Sequence, residues 1–65
     1  MVLGQIVYTI DNVTNNIDSW KYAGVMKVNK DVLYELHSGK KTLWLPKRCV
    51  FETEQEARLV ADSYK

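Results

Sequence analysis

Alternating apolar and polar positions predict short β-strands along most of the chain. Four segments follow this pattern and are rich in β-branched or aromatic residues: 5–10 (QIVYTI), 20–28 (WKYAGVMKV), 32–37 (VLYELH) and 41–45 (KTLWL). Residues 48–51 (RCVF) predict a short fifth strand or a 3₁₀-like connection. Because the strands are short and the turns between them are tight, we expect an antiparallel sheet that curls or closes into a small barrel.

Polar and turn-forming residues separate the predicted strands. Residues 11–19 (DNVTNNIDS) predict the longest loop, and residues 29–31 and 38–40 predict tight turns. Gly39 suits a left-handed position in the second of these turns. Pro46 is expected to end the fourth strand, because proline has no backbone N–H to donate to a neighbouring strand.

The same alternation predicts which side chains point inward. Gly24 indicates a bulge or bend in the second strand, and a bulge at residues 26–27 would turn both Val25 and Val28 inward. In the third strand the expected inward set is Val32, Tyr34 and Leu36, with Leu33, Glu35 and His37 outward. The core is expected to take four rings, those of Tyr8, Tyr34, Phe51 and Tyr64.

A single helix is predicted at the end of the chain. Thr53 to Glu56 predict a capping box, in which the Thr53 hydroxyl accepts from the Glu56 amide and the Glu56 carboxylate accepts from the Thr53 amide. An apolar stripe at helical spacing follows, made of Ala57, Val60, Ala61 and Tyr64. We therefore predict a helix from about Glu54 to Tyr64, anchored to the sheet by Phe51.

The 65-residue length predicts one domain, residues 1–65, with a small core. A chain of this size buries only ~60% of its unfolded surface and seldom gains more than ~3–5 kcal/mol from its core. Cys49 is the only cysteine, so no internal disulfide forms, and one His with one Cys cannot supply the ligands of a structural zinc site. We expect no metal and no cofactor, and association with a second copy is a plausible source of stability.

Composition and residue spacing argue against a disordered, membrane-spanning, secreted or enzymatic protein. With 46% hydrophobic and 26% charged residues the chain is expected to fold, and it has neither a membrane-length apolar run nor a signal-peptide pattern. A lone free thiol then favours the reducing cytoplasm. Nothing in the spacing brings His37 to Cys49, and the glycines are isolated, so we expect no enzyme.

The element order resembles a group of small SH3-like barrel proteins, many of them encoded by tailed, T-even-like bacteriophages. The resemblance is carried by GVMKV, a turn, VLYEL, a hairpin and VFETEQEA, and it spans about residues 5–62. It implies an SH3-like barrel and the role of a phage accessory protein in the host cytoplasm. It transfers no binding residue, since the group has no shared functional motif that can be placed on this chain.

Positive charge is concentrated in one stretch although the net charge is only +1. Residues 40–48 contain four cations and no acid: Lys40, Lys41, Lys47 and Arg48. Trp44 lies between them, on the face opposite Leu43 and Leu45. Cations around an exposed ring suit single-stranded nucleic acid, in which bases stack and phosphates meet the lysines. The competing explanation is that these lysines only solubilise a hairpin and protect an edge strand.

The chain has many aromatic side chains for so small a domain, and this favours a surface that binds another molecule. Trp20, Trp44 and Leu33 are expected to be partly exposed and to serve as anchors for another protein. The leading hypothesis is therefore a non-enzymatic accessory or inhibitor protein that binds a host protein, with self-association plausible. Nucleic-acid binding through Trp44 and the four cations is the alternative, and a small anionic ligand held between subunits is a third option. A small barrel that simply cannot cover its rings would explain the same residues without any function.

Overall fold

The computed structural model of the protein describes residues 1–63, which form one antiparallel sheet followed by a helix. The elements are β1 (Ile6–Ile10), β2 (Ile17–Val28), β3 (Asp31–Ser38), β4 (Lys41–Pro46), a 3₁₀ turn (Lys47–Cys49) and α1 (Glu54–Ser63). The four strands pair in chain order, and the sheet is not closed. The predicted class, a mainly β domain with a C-terminal helix, is confirmed.

Two-residue turns join the last three strands. Asn29 and Gly39 take left-handed backbone conformations at φ 58° and 61°, and each opens a turn between paired strand ends. The first loop is shorter than predicted, because β2 begins at Ile17, which pairs with Ile10. After Pro46 the chain takes the 3₁₀ alternative rather than a fifth strand.

A β-bulge in β2 lies beside Gly24, as the glycine indicated. Tyr22 pairs with Leu36 and Gly24 pairs with Glu35, so Ala23 is the extra residue. The further bulge predicted at residues 26–27 is wrong.

The end of β2 is more exposed than predicted. Val25 and Val28 are both exposed and lie on opposite faces of the strand, because β2 and β3 project beyond the core in this region. Val32, expected to point inward, is exposed for the same reason.

The core lies on one face of the sheet, here called the inner face. Its buried cluster is Val7, Tyr22, Leu36 and Val50, and the partly buried side chains packed around it are Trp20, Tyr34, Leu43 and Leu45. The rings of Tyr22 and Tyr34 meet edge to face at 5.6 Å. Strand pairing explains the cluster, because Leu36 pairs with Tyr22 on one side and with Leu43 on the other.

The predicted set of core rings is partly wrong. Tyr34 packs against the core cluster as predicted, whereas Tyr8 and Phe51 are half-buried outside that cluster, and Tyr64 lies outside the described residues. In β1 the buried residues are Val7 and Thr9, one position away from Tyr8. The Thr9 hydroxyl can be buried because it accepts a hydrogen bond of 2.9 Å from the Trp20 indole N–H.

The segment before α1 returns to the open edge of β1. Tyr8 and Phe51 exchange two backbone hydrogen bonds of 2.8 and 2.9 Å, which form an isolated antiparallel bridge. The helix contacts β1 and β2, with Ala57 and Ala61 buried, and Asn15 donates to the Ala61 carbonyl at 3.0 Å. None of the helices within residues 1–63 is long and apolar enough to span a bilayer.

Of the predicted capping box, the described residues show the hydrogen bond to the Thr53 hydroxyl but not the return bond from the Thr53 amide to Glu56, and the contribution of Thr53 can be tested. The Glu56 N–H donates to Thr53 Oγ1 at 3.1 Å. Thr53→Ala should lower the free energy of unfolding by about 1 kcal/mol, because one backbone donor at the helix start loses its partner. Thermal and urea unfolding followed by circular dichroism measure this loss. Gln55→Ala is the matched control in the same turn, and an equal loss in both variants would contradict a capping role.

Candidate protein-binding face and basic groove

The face of the sheet opposite the core, here called the outer face, carries an exposed apolar patch. The alternation of β4 turns Leu43 and Leu45 toward the core and Trp44 outward, so that 47% of the Trp44 surface is exposed. Leu33 of β3 lies on the same outer face, between Met26 of β2 and Pro46 of β4. We call Met26, Leu33, Trp44 and Pro46 the outer-face patch.

A glycine and a Glu35–His37 hydrogen bond shape the surroundings of Trp44. Gly24, Glu35 and Trp44 form one cross-strand row, and Gly24 contributes no side chain to it. The Glu35 carboxylate lies 2.7 Å from His37 Nε2. Glu35 is the cross-strand neighbour of Trp44, and an acidic residue at this place disfavours a phosphate backbone beside the ring.

Trp20 does not share this surface. It pairs with Val7 and therefore lies on the inner face, where it packs against the core and its indole donates to Thr9. The reason is the pairing of β2, which places Trp20 and Tyr22 on the same side of the strand. Of the three predicted anchors, the structure brings together Leu33 and Trp44 and separates Trp20 from them.

The four cations of residues 40–48 also divide into two groups. Lys40 and Lys41 lie at the β3–β4 turn, whereas Lys47 and Arg48 follow the other end of β4. The strand between them spans roughly 17 Å at the usual rise per residue. Lys41 also belongs to the face of Leu43, opposite Trp44. The structure therefore places these four cations in two groups at opposite ends of β4.

Lys30, which the sequence did not single out, joins Lys47 and Arg48 instead. These three cations line a groove of about 390 Å³, together with Asp31 and the apolar residues Val32, Leu33 and Pro46. We call it the basic groove. Pairing of Leu33 with Pro46 produces it, because this register places the β2–β3 turn beside the 3₁₀ turn that follows β4. Pairing the predicted strands from the β3–β4 turn outward would have found this neighbour.

Two other depressions on the surface have linings that favour no particular ligand, in contrast to the basic groove. A groove of about 570 Å³ between the first loop and α1 is lined by polar residues of both charges, and its Arg58 is already paired with Glu54 at 2.7 Å. A cavity of about 70 Å³ is lined by Cys49, Ile10, Phe51 and Val60, among others. It is too small for a substrate of ordinary size.

The structure assembles no catalytic constellation from the candidate side chains. His37 bonds to Glu35 on the outer face near the β3–β4 turn, while Cys49 lies in the 3₁₀ turn past the opposite end of β4. Within residues 1–63, no three His, Cys, Asp or Glu side chains are grouped so that they could hold a metal ion.

Comparison of the chain with protein-family models, curated proteins and solved structures finds no significant match in any of the three.

Proposed function

We propose that this protein is a non-enzymatic binding module that docks the outer-face patch against another protein. The main support for the proposal is the outward position of the Trp44 ring. The ring is exposed on β4, while the adjacent Leu43 and Leu45 pack against the core. Indole side chains on a rigid sheet are frequent anchors of protein interfaces, because they bury a large area at little entropic cost.

The neighbours of Trp44 support a protein partner. Met26 is 41% exposed and faces Leu33 across the strands, so apolar atoms from three strands form one surface. Such grouping differs from singly scattered apolar residues, which need no explanation. The Glu35–His37 pair borders the patch and supplies the polar rim that protein interfaces usually have.

We further propose that the architecture is an SH3-like barrel and that the partner is a host protein bound by a phage accessory or inhibitor protein. The Tyr8–Phe51 bridge and the 3₁₀ turn after β4 support the first part, because they lead the chain back from the last strand toward the first. The resemblance in element order supports the second part.

Nucleic-acid binding receives less support from the geometry. Its predicted residues are Lys40, Lys41, Trp44, Lys47 and Arg48, and they do not form a continuous path of cations beside the ring. Glu35 stands next to the indole, and Lys41 belongs to the opposite face. A net charge of +1 also gives little general attraction for a polyanion.

A capture experiment tests the proposed function. The tagged protein and a Leu33→Lys variant are compared in pull-downs from host lysate, each with and without nuclease treatment. We expect a partner that survives nuclease and is lost with Leu33→Lys, because a charge inside the patch must be desolvated on binding. Val13→Lys, in the first loop, is the matched control and should retain the partner.

Loss of the captured protein after nuclease treatment would point to nucleic acid and contradict the proposal. Retention by Leu33→Lys would remove the outer-face patch as the binding surface. A mass measurement of the free protein distinguishes self-association from binding of a different chain.

A further inference from the structure

The basic groove contains three cations that form no ion pair within the described residues. Among residues 1–63, Lys30, Lys47 and Arg48 take part in none of the ion pairs, whereas Arg58 on the helix is paired with Glu54. Asp31 is the one acid in the lining, so positive charge predominates there. A groove of this kind attracts anionic groups and gains most when the ligand brings its own carboxylates or phosphates.

The groove and the outer-face patch form one continuous surface. Leu33 and Pro46 belong to both, since they lie in the patch row with Met26 and also line the groove. A partner segment that covers Leu33 therefore reaches the three cations without leaving the surface. This continuity joins an apolar contact to an electrostatic one.

We propose that the basic groove selects an acidic segment of the protein partner, with an apolar side chain on the outer-face patch and carboxylates beside Lys30 and Arg48. The inference rests on the proposed function and specifies its partner. The guanidinium of Arg48 can hold a carboxylate through two parallel hydrogen bonds, which fixes orientation as well as charge. Two acids border the cations of the groove: Asp31 lies in its lining, and Glu35 is the cross-strand neighbour of Trp44. The positive surface is therefore short, and it suits a few carboxylates better than a polyphosphate chain.

Lys47 is the least suitable of the three cations for a test. It also lines a groove with Glu52 and Glu56, so its substitution would change the charge of a second surface. Arg48 also lines the cavity of about 70 Å³ at Cys49, but no other charged residue of the described chain lies in that lining. Lys30 lies in the β2–β3 turn and is free of this complication. The informative variant is therefore Lys30→Glu combined with Arg48→Glu.

Fluorescence anisotropy with defined probes tests the inference on the full chain. The first probe is a short labelled peptide of alternating glutamate and leucine, and the second has glutamine in place of every glutamate. The third probe is a short oligo-thymidine strand. We expect the glutamate peptide to bind at least about tenfold more tightly than the glutamine peptide, and the charge-reversed double variant to lose at least about tenfold in affinity.

Lys40→Glu combined with Lys41→Glu is the matched control, because it makes the same change in net charge at the opposite end of β4. It should bind the glutamate peptide within about threefold of the wild type, since charges beyond a Debye length are largely screened at physiological salt. Lys30→Gln with Arg48→Gln repeats the test with a milder change should the reversed pair fold poorly, and circular dichroism verifies the fold of each variant.

Each outcome separates the inference from the proposed function. Equal binding of the two peptides, no binding of the glutamate peptide, or equal losses in the two charge-reversed variants would overturn the acidic-segment proposal. Where both peptides bind equally, loss of that binding in Trp44→Ala would still support the outer-face patch. Where the glutamate peptide does not bind, the capture experiment with Leu33→Lys still tests the patch independently. Tighter binding of oligo-thymidine than of the glutamate peptide, with the same dependence on Lys30 and Arg48, would assign the groove to nucleic acid and overturn the inference.

Discussion

Replacing Leu36 with alanine should leave the protein largely unfolded near physiological temperature. Leu36 is fully buried, with 0% of its surface exposed, and it joins Tyr22 of β2 to Leu43 of β4 at the centre of the inner face. Truncating a buried leucine to alanine costs about 2–5 kcal/mol through lost burial and the cavity left behind. A core of this size seldom supplies more than about 3–5 kcal/mol, so the expected loss is comparable with the whole contribution of the core.

Urea unfolding at low temperature measures this loss, because the variant should retain a folded baseline there. Leu59→Ala is the matched control, since Leu59 is 68% exposed on α1 and its truncation should change stability by no more than about 0.5 kcal/mol. Similar midpoints for the two variants would contradict the assignment of Leu36 to the centre of the core.

Local pattern was sufficient to predict the strands and the helix. The run of β-branched and aromatic residues in each strand, the glycine at position 39 and the threonine cap at position 53 are all local signals, and the structure has the elements that they predict. Leu36 inward and Trp44 outward also follow from the two-residue period.

Pairing register decided what local pattern could not. The alternation in β1 favours Ile6, Tyr8 and Ile10 as the core face, yet the structure buries Val7 and Thr9 on the other face. The choice depends on which face meets Trp20 and Tyr22, and that is set by pairing with β2. Strand register cannot be read from local pattern, and for this reason the sequence predicts both Trp20 and Trp44 as anchors. The structure places the two indoles on opposite faces of the sheet.

The basic groove shows why clustering in sequence is a poor guide to clustering in space. Four cations close together along the chain are divided by the length of β4, while Lys30 becomes a neighbour of Arg48 through the β2–β3 hairpin. An extended strand separates its ends by about 3.3 Å per residue, whereas a hairpin brings distant residues together.

Truncating Trp44 to alanine should weaken association with the partner by about 2 kcal/mol, or roughly thirtyfold, and change folding little. The reason is the position of the ring, which is 47% exposed on the outer face and lies away from the buried cluster of Val7, Tyr22, Leu36 and Val50. Titration of the captured partner by calorimetry measures the affinity, and urea unfolding of the same sample measures stability.

Trp20→Ala is the informative counterpart, because the same residue type is removed from the inner face. Trp20 packs against the core and donates to Thr9, so its loss should cost at least about 2 kcal/mol of stability through a cavity and an unpaired buried hydroxyl. Affinity of the folded Trp20 variant should stay near the wild-type value, since the outer face is intact. An unchanged affinity in Trp44→Ala, or a larger loss of affinity in Trp20→Ala than in Trp44→Ala, would mean that the partner binds elsewhere, because only one of the two indoles lies on the proposed surface.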